Sequence, residues 1–187
     1  MQLHMVLSFD AWARVRPPAL PEGYGLHPFR ESDRDAWIRL MQQAGFEGWS
    51  QENLKQALSS ALPDGIFFIE YGPARELAAT AMAGHKPSEL HPFGGELGWV
   101  AVSPPHRGRR LSSVVCVEAT RRLIAAGYRD IYLCTDDWRL PAIRTYLNLG
   151  YVPLLCASDM EERWRLVSRN IGTPFEELAV RRRGGQP

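Results

Sequence analysis

The run ELGWVAVSPPHRGRRLSSVV, residues 96–115, holds the passage from a strand into a helix. Its first seven residues are almost wholly apolar, and Pro104 and Pro105 then stop a strand. From Leu111 onward, Leu111, Val115, Ala119 and Leu123 recur every fourth residue, with Val114 and Ile124 beside them. Arg121 and Arg122 fall on the wet side, and Gly127 closes the helix. A strand-to-helix turn is a natural anion site, because unsatisfied N–H groups and the positive end of the helix dipole point into it. Such turns usually carry several glycines. This one has Gly108 alone, among His106, Arg107, Arg109 and Arg110. It reads either as a phosphate cradle with its glycines replaced or as a basic surface turn.

Downstream, DIYLCTDD is a short apolar strand, and LPAIRTYLNLG is a helix with Pro141 in its first turn and Gly150 at its end. YVPLLC is a last strand, DMEERWRLVSRNIG a C-terminal helix, and RRRGGQP a solvated tail. Upstream, residues 3–9 suit a short strand or an arm, followed by the Pro/Gly-rich linker RVRPPALPEGYG. GLHPF is a strand. Ser32 or Asp33 then caps the helix DRDAWIRLMQQA, and Ser50 caps a second one with Leu54, Ala57, Leu58 and Ala61 on its apolar side. GIFFIEYG and ELAATAMAGH form a hairpin through GPAR, and HPFGG turns the chain into the opening strand. The order is a helical pair, an antiparallel meander, then strand–helix–strand–helix–strand. It predicts a single α/β (α+β) domain with a mixed central sheet flanked by helices and a C-terminal helix. The expected divisions are an arm and linker over 1–22, the domain over 23–172, and a basic, flexible tail over 173–187.

The chain has 187 residues, a net charge of +1, 45% hydrophobic and 23% charged residues. With so little net charge, no overall field draws it to nucleic acid or to an acidic membrane, so any taste for anions is local. No apolar run reaches the ~18 residues that span a bilayer. Three scattered cysteines (Cys116, Cys134, Cys156) form no CxxC pair, and the five histidines form no metal-ligand spacing. The expectation is a cytoplasmic protein with no metal, no nucleic-acid partner and no membrane anchor.

Residues 96–153 resemble the GNAT N-acetyltransferase superfamily, in its mycothiol-synthase-like branch. In ELGWVAVSPPHRGRRLSSVV, Arg107 matches the R/Q of the R/Q-x-x-G-x-G/A loop and Gly108 is a residue often present after it, while Arg110 and Ser112 stand where the family has Gly and Gly/Ala. In TDDWRLPAIRTYLNLGYVP, Ala142, Tyr146, Gly150 and Tyr151 fall in register with N-x-x-A-x-x-x-Y-x-x-x-G-F/Y, and Arg139 replaces the asparagine. The resemblance implies acetyl-CoA as co-substrate, attacked directly by an amine in a ternary complex. It implies that N–H groups of Arg107, Gly108, Arg109, Arg110, Leu111, Ser112 and Ser113 meet the pyrophosphate. Arg110, opening the helix, need not have a positive φ; its N–H serves the loop if its side chain swings outward, and the anion site is blocked if the side chain fills it. Val100, Ala101 and Val102 would pair with the pantetheine arm, one of their N–H groups facing the thioester oxygen.

The resemblance also gives Tyr146 the role of acid toward the departing thiolate, against the alternative of a core tyrosine. Glu96 would be the base toward the amine, against an exposed strand-edge carboxylate. Asp136 and Asp137 are rival bases, or caps of the following helix. Trp99 and Trp138 flank the expected site, and GFEGW (45–49) would rim an acceptor pocket. Cys134 reads as a small core hydrophobe. The acceptor class stays open between small-molecule and peptide amines, and a homodimer stays open too. The alternative is a catalytically silent acyl-CoA-binding or protein-interaction module on the same fold.

Overall fold

The computed structural model describes residues 1–182. Contacts gather into two compact units: residues 17–131, and residues 1–16 together with 132–187, of which 183–187 lie outside the described residues.

The first unit is built on an antiparallel meander of β2 (Tyr24–Pro28), β3 (Ala61–Tyr71), β4 (Glu76–His85) and β5 (Gly95–Val102). β4 is buried from Leu77 to Gly84, on both faces, as happens when helices cover a strand from both sides. Its alanines at 78, 79, 81 and 83 let those helices come close. One cover is α4 (Leu111–Ala125), which packs on β3, β4 and β5 through the four-residue stripe seen in the sequence. The other is the pair α2 (Arg34–Gln43) and α3 (Gln51–Ser60). Trp37, Leu40, Met41, Leu54 and Ala57 from these helices close a core with Ile66, Phe68, Met82 and Ala101 of the sheet. Ser50 opens α3 as expected, its N–H donating to Asn53 Oδ1 at 2.9 Å. At α2 neither Ser32 nor Asp33 gives a side-chain cap. A short 3-10 turn over Glu31–Asp33 comes first, and Asp33 Oδ2 instead accepts the Arg30 N–H at 2.7 Å.

In the second unit β1 (Leu3–Leu7) pairs antiparallel with both β6 (Ile131–Thr135) and β7 (Tyr151–Leu155), and β8 (Arg181–Arg182) runs parallel to β7. Residues 3–7 are therefore a strand with partners on both sides, and Leu3 and Met5 are fully buried. A four-residue helix, α1 (Phe9–Trp12), follows, with Ser8 Oγ accepting the Ala11 N–H at 3.4 Å; the sequence reading did not foresee it. α5 (Leu140–Asn148) and α6 (Met160–Ile171) pack on β7 and on each other, burying Ile143, Met160 and Trp164. The stretch expected as a flexible tail carries structure as far as Arg182. Phe175 is buried, and Leu154 and Leu155 pair with Arg181 and Arg182.

Gly150 joins α5 to β7 with φ +82°, and a Cβ there would stand 2.9 Å from the backbone N of Trp12. Its carbonyl accepts the Ser8 N–H at 2.9 Å, so the approach has no slack. Gly150→Ala is expected to lower stability by about 2 kcal/mol, combining backbone strain with steric displacement. Urea denaturation monitored by Trp fluorescence reads this directly.

Candidate functional site

β5 does not run straight through its ladder. Gly98 pairs with Met82 and Ala101 with Thr80, so Trp99 and Val100 together face the single residue Ala81. The extra residue makes a β-bulge, and Trp99 takes φ +49°, a strained conformation for a bulky side chain. Paired residues share a face, so Glu96, Gly98 and Ala101 all lie on the α2/α3 side despite their mixed parity.

On that side Glu96 is buried, and Lys86 Nζ donates to both its oxygens at 2.9 Å. The sequence alternative of an exposed edge carboxylate is thereby excluded. Gly98 leaves the room Glu96 occupies: a Cβ at 98 would lie 3.2 Å from Glu96 Oε2. Beyond the bulge, Trp99 meets the rings of Trp49 (centroids 5.6 Å apart) and Phe46 (6.2 Å) nearly edge-on. Phe46 and Trp49 of the GFEGW segment thus form an aromatic wall with Trp99. The indole N–H of Trp49 and the hydroxyls of Thr80 and Ser103 are buried without a hydrogen-bond partner.

The loop after β5 is moored at its start. His106 is buried in a 3-10 turn, and its Nδ1 shares a 2.8 Å hydrogen bond with the Tyr24 hydroxyl. The Arg107 guanidinium donates to Val102 O and to Ala44 O, both at 3.4 Å. The backbone beyond this is left open. The Arg107 N–H goes to Pro104 O and the Ser113 N–H to Arg110 O, whereas the N–H groups of Gly108 through Ser112 find no acceptor among the described residues. The donor set is therefore narrower than the Arg107–Ser113 range expected from the motif. Gly108 has φ +78° and open space around the position of a Cβ.

Arg110 corrects the expectation made for it. It is the N-cap of α4 with φ +60° and ψ 19°, the left-handed conformation that glycine adopts at least cost. Its side chain is exposed and makes no hydrogen bond or ion pair among the described residues.

Tyr146 and the rival carboxylates belong to the other unit. Tyr146 is buried on α5, its ring edge-on to Tyr151 at 6.3 Å. Neither aspartate caps α5, whose N-cap is Arg139. Asp136 accepts from Arg139 Nε and from Gln2 Nε2, both at 2.9 Å. Asp137 takes a two-point bond from Arg163, at 2.5 and 2.9 Å. That hydrogen bond holds its carboxyl below the usual range, which disfavours it as a proton acceptor. Trp138 stands 71% exposed, with the Arg139 guanidinium 4.6 Å from its ring centroid. Cys134 is half-buried rather than a core residue, with its sulfur 3.6 Å from His4 Nδ1.

With these positions fixed, comparison with known proteins decides the family. The model of the acetyltransferase (GNAT) family matches residues 28–151. The chain belongs to the GNAT family of acyltransferases. A mycothiol acetyltransferase of Actinosynnema mirum is 29% identical over 144 residues, covering 72% of this chain and 46% of that protein. A GCN5-related N-acetyltransferase from Sphaerobacter thermophilus has the same fold, with a TM-score of 0.64 at 21% identity over 81% of this chain and 47% of that one. A tandem GNAT protein from the clavulanic acid biosynthesis pathway gives 0.63 at 16% identity, over 82% and 50%. The chain spans about half the length of the curated relatives it matches. The α/β GNAT fold read from the two motifs is thus established. Among the described residues no helix is long and apolar enough to cross a membrane.

Two outcomes follow from this geometry. Arg110→Gly should raise stability by about 0.5–1 kcal/mol, the relief of left-handed strain less the entropy glycine adds to the unfolded chain; chemical denaturation at unchanged m-value checks it. Because the Asp137 carboxyl is held low, its contribution is present above about pH 4, the unfolded-state range, and fades as pH falls through the folded value. Asp137→Asn should therefore be less stable at neutral pH, with the gap from the parent protein closing in the acid limb.

Proposed function

We propose that this chain transfers the acetyl group of acetyl-CoA to a primary amine by direct attack in a ternary complex. The observation that carries the reading is the run of acceptor-free N–H groups from Gly108 to Ser112, at the N-terminus of a fifteen-residue helix and directly after a bulged strand. Amides in that setting suit a pyrophosphate, and the arginines at 109 and 110 add attraction that salt will screen. The bulge breaks the ladder at Trp99 and Val100, at the start of the Val100–Val102 segment, and a local break of this kind suits an oxyanion-type contact with the thioester.

In this reading Glu96 takes the proton of the acceptor ammonium, and the aromatic wall of Phe46, Trp49 and Trp99 shapes the acceptor side. Such a wall favours an apolar or cationic amine, small molecule or peptide. Tyr146 protonates the departing thiolate, an assignment that rests on its motif register. The 29% identity to a mycothiol acetyltransferase over about half that protein's length supports the reaction class and not an acceptor. No metal enters the scheme. Three cysteines outside any disulfide suit a cytoplasmic setting.

A silent acyl-CoA-binding module is the second reading, favoured by the arginine in the left-handed loop position. Thermal unfolding with acetyl-CoA, CoA and ATP tests the coenzyme. Acetyl-CoA at a hundred times its Kd should stabilise the chain by about 2.7 kcal/mol, and ATP should not. With an amine acceptor in hand, Tyr146→Phe should lower kcat by about 10²-fold or more with little change in coenzyme affinity. Coenzyme binding without turnover across a broad amine panel would favour the silent module.

A further inference from the structure

Of the 22 basic residues in the sequence, only Lys55 and Lys86 are lysines; the rest are arginines. A guanidinium stays protonated at any working pH and cannot attack a thioester, whereas a lysine amine can once it loses a proton. Lys55 lies on the outer face of α3, its side chain exposed and its Nζ 3.9 Å from Glu52. Lys86 follows β4 and sets its ammonium squarely on the buried carboxylate of Glu96, 2.9 Å from each oxygen. That carboxylate in turn lies over Gly98, one residue before the bulge. A primary amine, a buried carboxylate and the bulged segment of β5 therefore stand side by side within one unit. The Lys86 side chain is 58% exposed, so its stem has room to move.

A purely structural ion pair would be served at least as well by arginine, whose fork binds both oxygens of a carboxylate. A chain that uses arginine almost everywhere keeps a lysine at this carboxylate. We propose that Lys86 is itself an acceptor, acetylated in cis by its own chain. The proposal rests on the acetyl-CoA reading above. Glu96 removes a proton from the Lys86 ammonium, and the freed lone pair of Nζ forms a bond to the thioester carbonyl carbon. The carbon–sulfur bond then breaks, and the sulfur leaves as the thiolate and takes up a proton. The products are a neutral secondary amide on Lys86, free CoA and one proton released to water. The amide no longer neutralises Glu96, so acetylation strips the carboxylate of this counter-charge.

The test is peptide mapping by mass spectrometry after incubating the full chain with acetyl-CoA and no added amine. Lys86 should gain one acetyl group, in a first-order process whose rate does not depend on protein concentration. Lys55, the internal control for spontaneous acetylation, should lag by about 10²-fold, the range a positioned base supplies. Glu96→Gln should slow labelling of Lys86 by a similar factor and leave Lys55 unchanged. Lys86→Arg should keep the thermal midpoint, since the ion pair survives, while abolishing the label at 86. Equal labelling of the two lysines, or labelling of Lys86 indifferent to Glu96→Gln, overturns the proposal in a protein that acetyl-CoA still stabilises. If acetyl-CoA gives no stabilisation, the coenzyme reading fails and this proposal falls with it.

Discussion

The bulge at Trp99–Val100 is the constraint on which the candidate site depends. In an unbroken strand, residues two apart share a face, so Glu96 and Gly98 would lie with Val100 and Val102. One extra residue shifts the phase, and Ala101 joins Glu96 and Gly98 on the α2/α3 side. The cost is the left-handed backbone at Trp99, of order 1–3 kcal/mol. The aromatic contacts of Trp99 with Phe46 and Trp49 are positioned to offset it. The strain, the carboxylate over Gly98 and the aromatic wall are thus one arrangement rather than three.

The loop that follows divides its labour by residue. His106 and Arg107 hold it to the fold, through Tyr24, Val102 and Ala44, while the amides of residues 108–112 find no acceptor among the described residues. Exposed amides are satisfied by water at no great cost, so leaving them open does not endanger a fold whose net stability is about 5–15 kcal/mol. Arg110 adds left-handed strain, small on that scale.

What the sequence revealed follows from how local each signal is. The four-residue stripe of α4, the Ser50 cap and the GPAR hairpin are written in neighbouring residues, and the structure has them. The order of the two motifs carried the GNAT fold for the same reason. Features set by distant partners were hidden. Nothing near residues 3–7 says that they pair with residues 131–135 and 151–155. Nothing near TDDWR says that Arg163 claims Asp137 and so draws it away from capping α5. Arg110 misled because positive φ is usually announced by glycine or asparagine. The Lys86–Glu96 pair had a faint signal, the near-absence of lysine from an arginine-rich chain, which only the geometry made meaningful.

The place of β1 has a consequence for how the chain reaches this structure. Its five residues precede both of their partner strands by more than a hundred residues. Until residue 155 has emerged, Leu3, Met5 and Val6 have no sheet to enter, whereas the contiguous residues 17–131 already contain every strand of their own meander. Long-range closure of this kind is slow, and it leaves an unpaired apolar strand waiting for its partners to be made. The order of synthesis, and not only the final contacts, therefore shapes how this fold is reached.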